Sequence, residues 1–224
     1  MTSPATDPGR AVPLDHRHLT RCSADLRAAT AAVEAWGRAR WPGARVMHEM
    51  KVGSCRLDIA FVLPAHMIGV EIKSERDTLT RLAGQIRDYA REIPELWVAV
   101  APRWLTGLNE LPWRVGRVVV ENGAVSETLH SERFSRTHEA KADEMLTAPM
   151  LHLLWRAEAH ALARAHQIKL PARMPLHTAV KVLARQLTGD QIVAGVCGAL
   201  RARPTTFAAD PPVIWPGTLT GDAA

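Results

Sequence analysis

Three residues in two neighbouring apolar runs carry the chemistry this sequence can offer. Asp58 lies in RLDIAFVL, and Glu71 and Lys73 lie in MIGVEIK. Two carboxylates on one half-buried surface repel each other and tolerate proximity only with a proton or a cation between them. Hard oxygen donors of this kind, completed by water or substrate phosphate, suit Mg²⁺, with Mn²⁺ as the alternative. The backbone carbonyl of Ile72, between Glu71 and Lys73, offers one more oxygen. A lysine beside such a site can orient a water or steady the charge of a pentavalent phosphorane. Together these residues describe metal-assisted phosphodiester hydrolysis. A Glu-x-Lys pair on an exposed strand is equally an ordinary surface salt bridge, so the reading depends on the elements that place the three residues.

Period-2 alternation predicts strands over residues 45–51, 56–63 and 67–73, joined by loops short enough for an antiparallel meander. In the second strand, Leu57, Ile59, Phe61 and Leu63 fall on one face, and Asp58, Ala60 and Val62 on the other. In the third, Met67, Gly69, Glu71 and Lys73 share a face. A helix is expected over 77–91, with Leu79, Leu82, Ile86 and Ala90 as its apolar stripe. Arg81, Gln85 and Tyr89 recur at i, i+4, i+8 beside that stripe. Arg81 on this stripe is a candidate phosphate clamp. The apolar run 96–101 reads as a buried strand parallel to the third, through a βαβ crossover. A first helix precedes the strands, with Ser23 as its N-cap and Pro42-Gly43 as its end. Asn122-Gly123 marks a hairpin between 117–121 and 124–129. Helices are then expected over 143–166, 176–187 and 190–203.

Asp58, Glu71-Ile72-Lys73 and the following Gln85-Ile86-Arg87-Asp88-Tyr89 together resemble the PD-(D/E)XK nuclease superfamily. Within it they are most similar to the branch bearing a Gln-x-x-x-Tyr motif, related to the RecB nuclease domain and including small MmcB-like bacterial and phage members linked to DNA repair. The resemblance covers roughly residues 23–101 and departs from the pattern in having Leu57 where a proline often stands. It implies an α/β restriction-endonuclease-like core, a mixed sheet flanked by helices. It also implies a metal held by Asp58 and Glu71, a water positioned by Lys73, and Gln85 and Tyr89 orienting Lys73 or the nucleic acid. Family members often add a glutamate from the first helix or first strand. Here that is Glu34 or Glu49, with Glu49 favoured because a strand residue beside Asp58 can share a metal without reaching. The C-terminal helices lie outside the resemblance.

Composition frames the same reading. The chain has 224 residues and a net charge of +5. Between residues 150 and 203, eight Lys and Arg stand against two acidic residues, which suggests a polyanion partner such as DNA. Lys181 and Arg185 are candidate phosphate contacts there. The organisation expected is a loose arm over 1–19, a nuclease-like domain over 20–135, a basic helical module over 143–203 and a proline-rich tail over 204–224. The tryptophans at 36, 97, 104, 113 and 155 are read as core or interface rather than base-stacking platforms. Three scattered cysteines (Cys22, Cys55 and Cys197) make neither a disulfide framework nor a zinc site. With no signal-peptide pattern and no membrane-length apolar run, a cytoplasmic location is expected. A homodimer is compatible with the sequence. The function expected is a Mg²⁺-dependent DNA nuclease in repair or end processing. The alternative is a protein that keeps the fold and binds nucleic acid without cutting it.

Overall fold

Helix α1 (Ala24–Arg40) begins as the sequence requires, with the Ser23 hydroxyl accepting from the Leu26 amide at 3.2 Å. The computed structural model describes residues 23–131 and 147–213. The N-terminal arm, the 132–146 connection and the last part of the tail lie outside the described residues, and with them Cys22, His138 and Trp215.

Behind α1 stands a six-stranded sheet whose spatial order follows the chain: β1 (Arg45–Val52), β2 (Cys55–Leu63), β3 (His66–Lys73), β4 (Glu95–Val100), β5 (Gly116–Glu121) and β6 (Ala124–Leu129). The first three strands form the expected antiparallel meander. Helix α2 (Leu82–Tyr89) carries the crossover to β4, which pairs parallel to β3. β5 joins parallel to β4, and β6 closes as a hairpin. Its turn uses Asn122 and Gly123, both at positive φ (50° and 78°), the pair that a twisted two-residue hairpin favours. The fold is therefore α/β, a mixed sheet flanked by helices.

One sheet face packs against α1 through Val33, Ile59, Phe61, Val70 and Trp97. The other packs against α2 and the C-terminal helices α3 (Arg156–Ala165), α4 (Leu176–Gln186) and α5 (Gly189–Ala202). Boundaries drawn from the sequence separate those helices from the sheet. In the structure their Leu162, Leu183 and Val196 belong to one buried cluster with Met47, Ala60 and Val98 of the strands. Two arginines of the basic block secure this packing. The Arg201 guanidinium donates to the carbonyls of Gly43 and Val62 at 2.9 and 2.7 Å. Arg203 donates to Glu158 at 2.7 Å and to the Leu153 carbonyl at 2.8 Å.

Three local expectations change. The helix drawn over 143–166 is, within the described residues, a 3₁₀ segment (Ala148–Leu153) followed by α3. Pro149 sits in the first turn of the 3₁₀ segment, where its missing N–H costs nothing. Leu154 and Trp155 are extended between the two helices. The proline-rich tail expected over 204–224 starts as a packed segment. Thr205–Asp210 lies along β1, with the His48 amide donating to the Phe207 carbonyl at 2.7 Å and the Ala209 amide to the Val46 carbonyl at 2.9 Å. The helix drawn over 77–91 begins only at Leu82, because the Asp77 carboxylate accepts from the Ser74 amide and hydroxyl at 2.7 and 2.6 Å and holds the preceding residues in a turn.

The alternation expected of β2 also fails at one place. Leu57 shares a cluster with Ala60 and Val62, whereas Ile59 and Phe61 lie on the α1 face. The cause is a break in both ladders at Asp58. Pairing with β3 is recorded up to Ile59↔Val70 and no further. Pairing with β1 skips from His48↔Ile59 to Met50↔Leu57, and the residue skipped on β1 is Glu49, at φ 50°. A non-glycine residue rarely adopts that conformation within a strand. Gly69 makes room for the displaced Leu57, since a Cβ there would lie 2.8 Å from Leu57 Cδ2 and 3.1 Å from Leu96 Cδ2. Gly69→Ala is thus expected to lower stability by about 1–3 kcal/mol through overpacking. The measurement is the urea midpoint, and Leu57→Ala added to Gly69→Ala is expected to lose less than the two single losses combined. Strict additivity would show that the two side chains do not compete.

Candidate active site

Once β2 parts from β3, the groups that would have paired must find other partners. The Ile72 amide donates to Asp58 Oδ2 at 2.6 Å, so a side chain replaces the missing strand acceptor. The Arg56 carbonyl is approached by the Tyr89 hydroxyl at 2.6 Å. In an extended strand the N–H and C=O of one residue point to the same neighbour, so the Ile72 carbonyl faces the same gap as Asp58.

Glu71 is 2% exposed and is held by three side chains. Its Oε1 accepts from Lys73 Nζ at 2.6 Å and from Gln85 Nε2 at 2.6 Å. Its Oε2 lies 3.0 Å from the Tyr89 hydroxyl. Gln85 Oε1 in turn accepts from Lys73 Nζ at 3.1 Å, and these two bonds fix which end of the amide is which. Period-2 spacing in β3 and i, i+4 spacing in α2 thus bring Glu71, Lys73, Gln85 and Tyr89 together as expected from the sequence, with Asp58 beside them.

Arg81 does not join them. Because α2 starts at Leu82, Arg81 is its N-cap residue and is exposed. It stands one turn before Gln85, whose backbone amide donates to the Arg81 carbonyl at 3.0 Å, and lines a groove with Arg56, Gln85 and Arg87 without bonding the carboxylates. Lys181 and Arg185 are exposed on α4, away from the cluster's own elements. Glu34 is taken up elsewhere: its carboxylate bonds His48 Nε2 at 3.1 Å and Arg38 Nε at 2.9 Å. The His48 bond first, and the Arg38 bond after it, outweigh burial and pull Glu34 down to about 2. Of the two candidate glutamates, Glu49 is the one whose charge bears on Asp58, where it adds to the upward push of burial and Glu71.

Electrostatics disfavour the ionised form of Asp58. Burial pushes the Asp58 carboxyl well above the ordinary carboxylate range, and the neighbouring Glu71 charge adds to the shift. The Ile72 amide and Lys73 pull the other way without cancelling it. Burial, then Glu71, likewise raise the Tyr89 hydroxyl, which stays protonated. Its single hydrogen is shared between the Arg56 carbonyl and Glu71 Oε2, the former being closer. Oε1 of Glu71 is saturated by two donors, while Oε2 keeps capacity for another ligand. Among the described residues only the Ile72 amide donates to Asp58. No group of three His, Cys, Asp or Glu side chains among the described residues forms a ready cage for a metal. The donor set that remains, two carboxylate oxygens and a backbone carbonyl, fits a cation that retains much of its water.

A family model described as bacteriophage P4 protein cII matches residues 37–203. The chain belongs to that family. The match runs from the last turn of α1 through α5, so the family unit includes the C-terminal helices as well as the sheet. No curated protein matches the chain. A solved structure, the SPO1766 protein of unknown function from Silicibacter pomeroyi, aligns with a TM-score of 0.41 at 15% identity, covering 69% of this chain and 99% of that one. No helix among the described residues is long and apolar enough to cross a membrane.

Sequence reasoning missed the Arg56 carbonyl as a partner of Tyr89 and the place of Arg87 in the groove beside Arg81 and Gln85. The first has no residue-type signal. Arg87 lies between Gln85 and Tyr89 in the sequence but off the Arg81, Gln85 and Tyr89 stripe. The raised Asp58 carboxyl gives a direct check. A carboxyl whose folded pKa lies above its unfolded value favours the native state most in acid, and that advantage disappears as pH rises through the folded pKa. Asp58→Asn keeps an oxygen for the Ile72 amide and removes the charge. In EDTA at pH 7 it is expected to be more stable than the parent by about 1 kcal/mol or more, with the difference shrinking towards pH 4. Urea unfolding at the two pH values decides it, and an equal loss of stability at both would contradict the burial argument.

Proposed function

We propose that this chain is a Mg²⁺-dependent DNA nuclease that hydrolyses phosphodiester bonds, acting in repair or end processing as a member of the PD-(D/E)XK superfamily. The observation that carries the reading is the convergence of Asp58, Glu71, Lys73, Gln85 and Tyr89 at the point where β2 leaves β3. A surface salt bridge needs none of this. Here the lysine and both acids are largely shielded, a second element orients them, and one acid is held against its own ionisation.

Each side chain has a task in such a reaction. Asp58, Glu71 Oε2 and the Ile72 carbonyl would hold the metal, with Glu49 as the additional acid. Bound Mg²⁺ supplies a Lewis acid for a phosphoryl oxygen and lowers the pKa of a coordinated water. Lys73 has three N–H donors, and two point at Glu71 and Gln85. The third is left to orient the attacking water or to meet the developing phosphorane charge. Gln85 is a positioning residue, since it grips Lys73 and Glu71 at once. Tyr89 positions Glu71 and ties it to the Arg56 backbone. Exposed Lys181 and Arg185 on α4, with exposed Arg156 and Arg164 on α3 and Lys169 and Arg173 in the connection between the two helices, supply salt-sensitive attraction for the phosphate backbone.

The test is cleavage of linear, circular and single-stranded DNA with Mg²⁺, Mn²⁺ or EDTA. Activity is expected with either metal and none in EDTA. Lys73→Ala is expected to lower the rate by roughly 10²–10³-fold, the scale for removing one transition-state donor. Gln85→Ala should cost less, because it acts through Lys73. Cleavage that survives both EDTA and Lys73→Ala would overturn the mechanism. Binding without cleavage under every metal condition would make the chain a nucleic-acid-binding protein that retains the fold.

A further inference from the structure

Arg56 stands where two grooves meet. One, of about 610 Å³, runs along α2 past Arg56, Arg81, Gln85 and Arg87. The other, of about 790 Å³, lies between β1 and the C-terminal helices and is lined by Glu49, Lys51, Arg56, His152, Trp155 and Phe207. Gln85 opens into the first and Glu49 into the second, so both grooves reach the residues around Asp58.

The second groove carries aromatic surface that faces solvent. Trp97, Phe61 and Tyr89 are fully buried, but Trp155 is 52% exposed and Phe207 38%. Trp155 is nevertheless not a loose side chain. The Arg203 guanidinium stacks on its ring at 4.3 Å from the centroid, and Arg203 is itself buried and anchored on Glu158 and the Leu153 carbonyl. The ring is held in place while half of it faces solvent. Phe207 is fixed through its backbone, whose carbonyl accepts from the His48 amide. Two positioned aromatic rings beside a line of cations form the surface that unstacked bases and their phosphates recognise. A duplex keeps its base faces inside the stack and has nothing to lay on Trp155. Of the acids lining the two grooves, Glu49 is at the Asp58 end, Glu92 lies near Gly53 and Arg56, and Asp88 accepts from the Ser54 hydroxyl at 3.2 Å.

We propose that the joined grooves bind single-stranded DNA, with bases stacked on Trp155 and Phe207 and the backbone led across Lys51 and Arg56 towards Arg81 and Arg87. As the substrate that is cut, this strand rests on the nuclease reading above; as a binding site it does not. Bases on the Trp155 side and phosphates on the α2 side would draw the strand past Glu49 and Asp58, which suits a free end or an unpaired region.

Binding in EDTA separates the two ideas. Fluorescence anisotropy is measured with a labelled single strand of about 15 nucleotides, within the site sizes of such grooves, and with a blunt duplex of the same sequence. The single strand is expected to bind more tightly. Trp155→Ala and Phe207→Ala should each weaken it roughly 5- to 100-fold, the range for losing one stacked base, and leave the duplex unchanged. Trp155→Phe should restore most of the loss. Arg56→Gln should reduce the salt slope by about one unit. If Trp155→Ala does not fold, as judged by circular dichroism, Phe207→Ala and Trp155→Phe carry the comparison. Equal affinity for the two forms, or folded aromatic variants that bind like the parent, would overturn the proposal. Tight, Trp155-dependent single-strand binding with no metal-dependent cleavage would sustain the site and remove the nuclease.

Discussion

A carboxylate taken out of water must be met by donors on every side, and Glu71 imposes that requirement on the centre of this molecule. Lys73 answers from the same strand and Gln85 and Tyr89 from α2, so the rotation of α2 about its axis is fixed by one buried charge. Tyr89 passes the constraint on by holding the Arg56 carbonyl, just where β2 has given up its pairing with β3. Asp58 takes the vacated place against the Ile72 amide. The result is a local arrangement that costs stability, with two ladders interrupted, one residue at positive φ and one carboxyl disfavoured in its ionised form. Proteins accumulate such costs where function requires them.

Much of this was legible because two short periodicities suffice for it. Alternation in β3 put Glu71 and Lys73 on one face, and the four-residue spacing of α2 put Gln85 and Tyr89 on one side. What escaped was anything that depends on a phase change. Leu57 reads as a partner of Ile59 until the ladder breaks between them, and nothing in RLDIAF announces the break. Arg81 reads as a residue inside the helix, but Asp77 holds the chain in a turn and Arg81 becomes the N-cap, still one turn before Gln85. Propensity and period describe elements and not the competition between a helix start and a side-chain turn.

The basic block shows a different limit. Charge counting treats eight cations alike, yet Arg201 and Arg203 spend their hydrogen bonds on backbone carbonyls and on Glu158 inside the fold. The exposed remainder lies on and between α3 and α4. Trp155 is the counterpart among apolar residues. Its type argues for burial, and its place in the extended joint before α3 leaves it on the surface. In both cases the decisive information is which partner a side chain meets, and that is set by packing between elements distant in the chain.

The segment Thr205–Asp210 has a consequence for the molecule in a crowded solution. β1 is the outermost strand of the sheet on its side, and a bare strand edge is a template on which another chain can add itself. Here that edge is occupied from within: Met47 bridges to Ala208, and the Asp210 carboxylate caps the Val46 amide at 2.8 Å. A few residues after the last helix thus cover the β1 edge, and growth by edge-to-edge addition has no starting point along this part of β1.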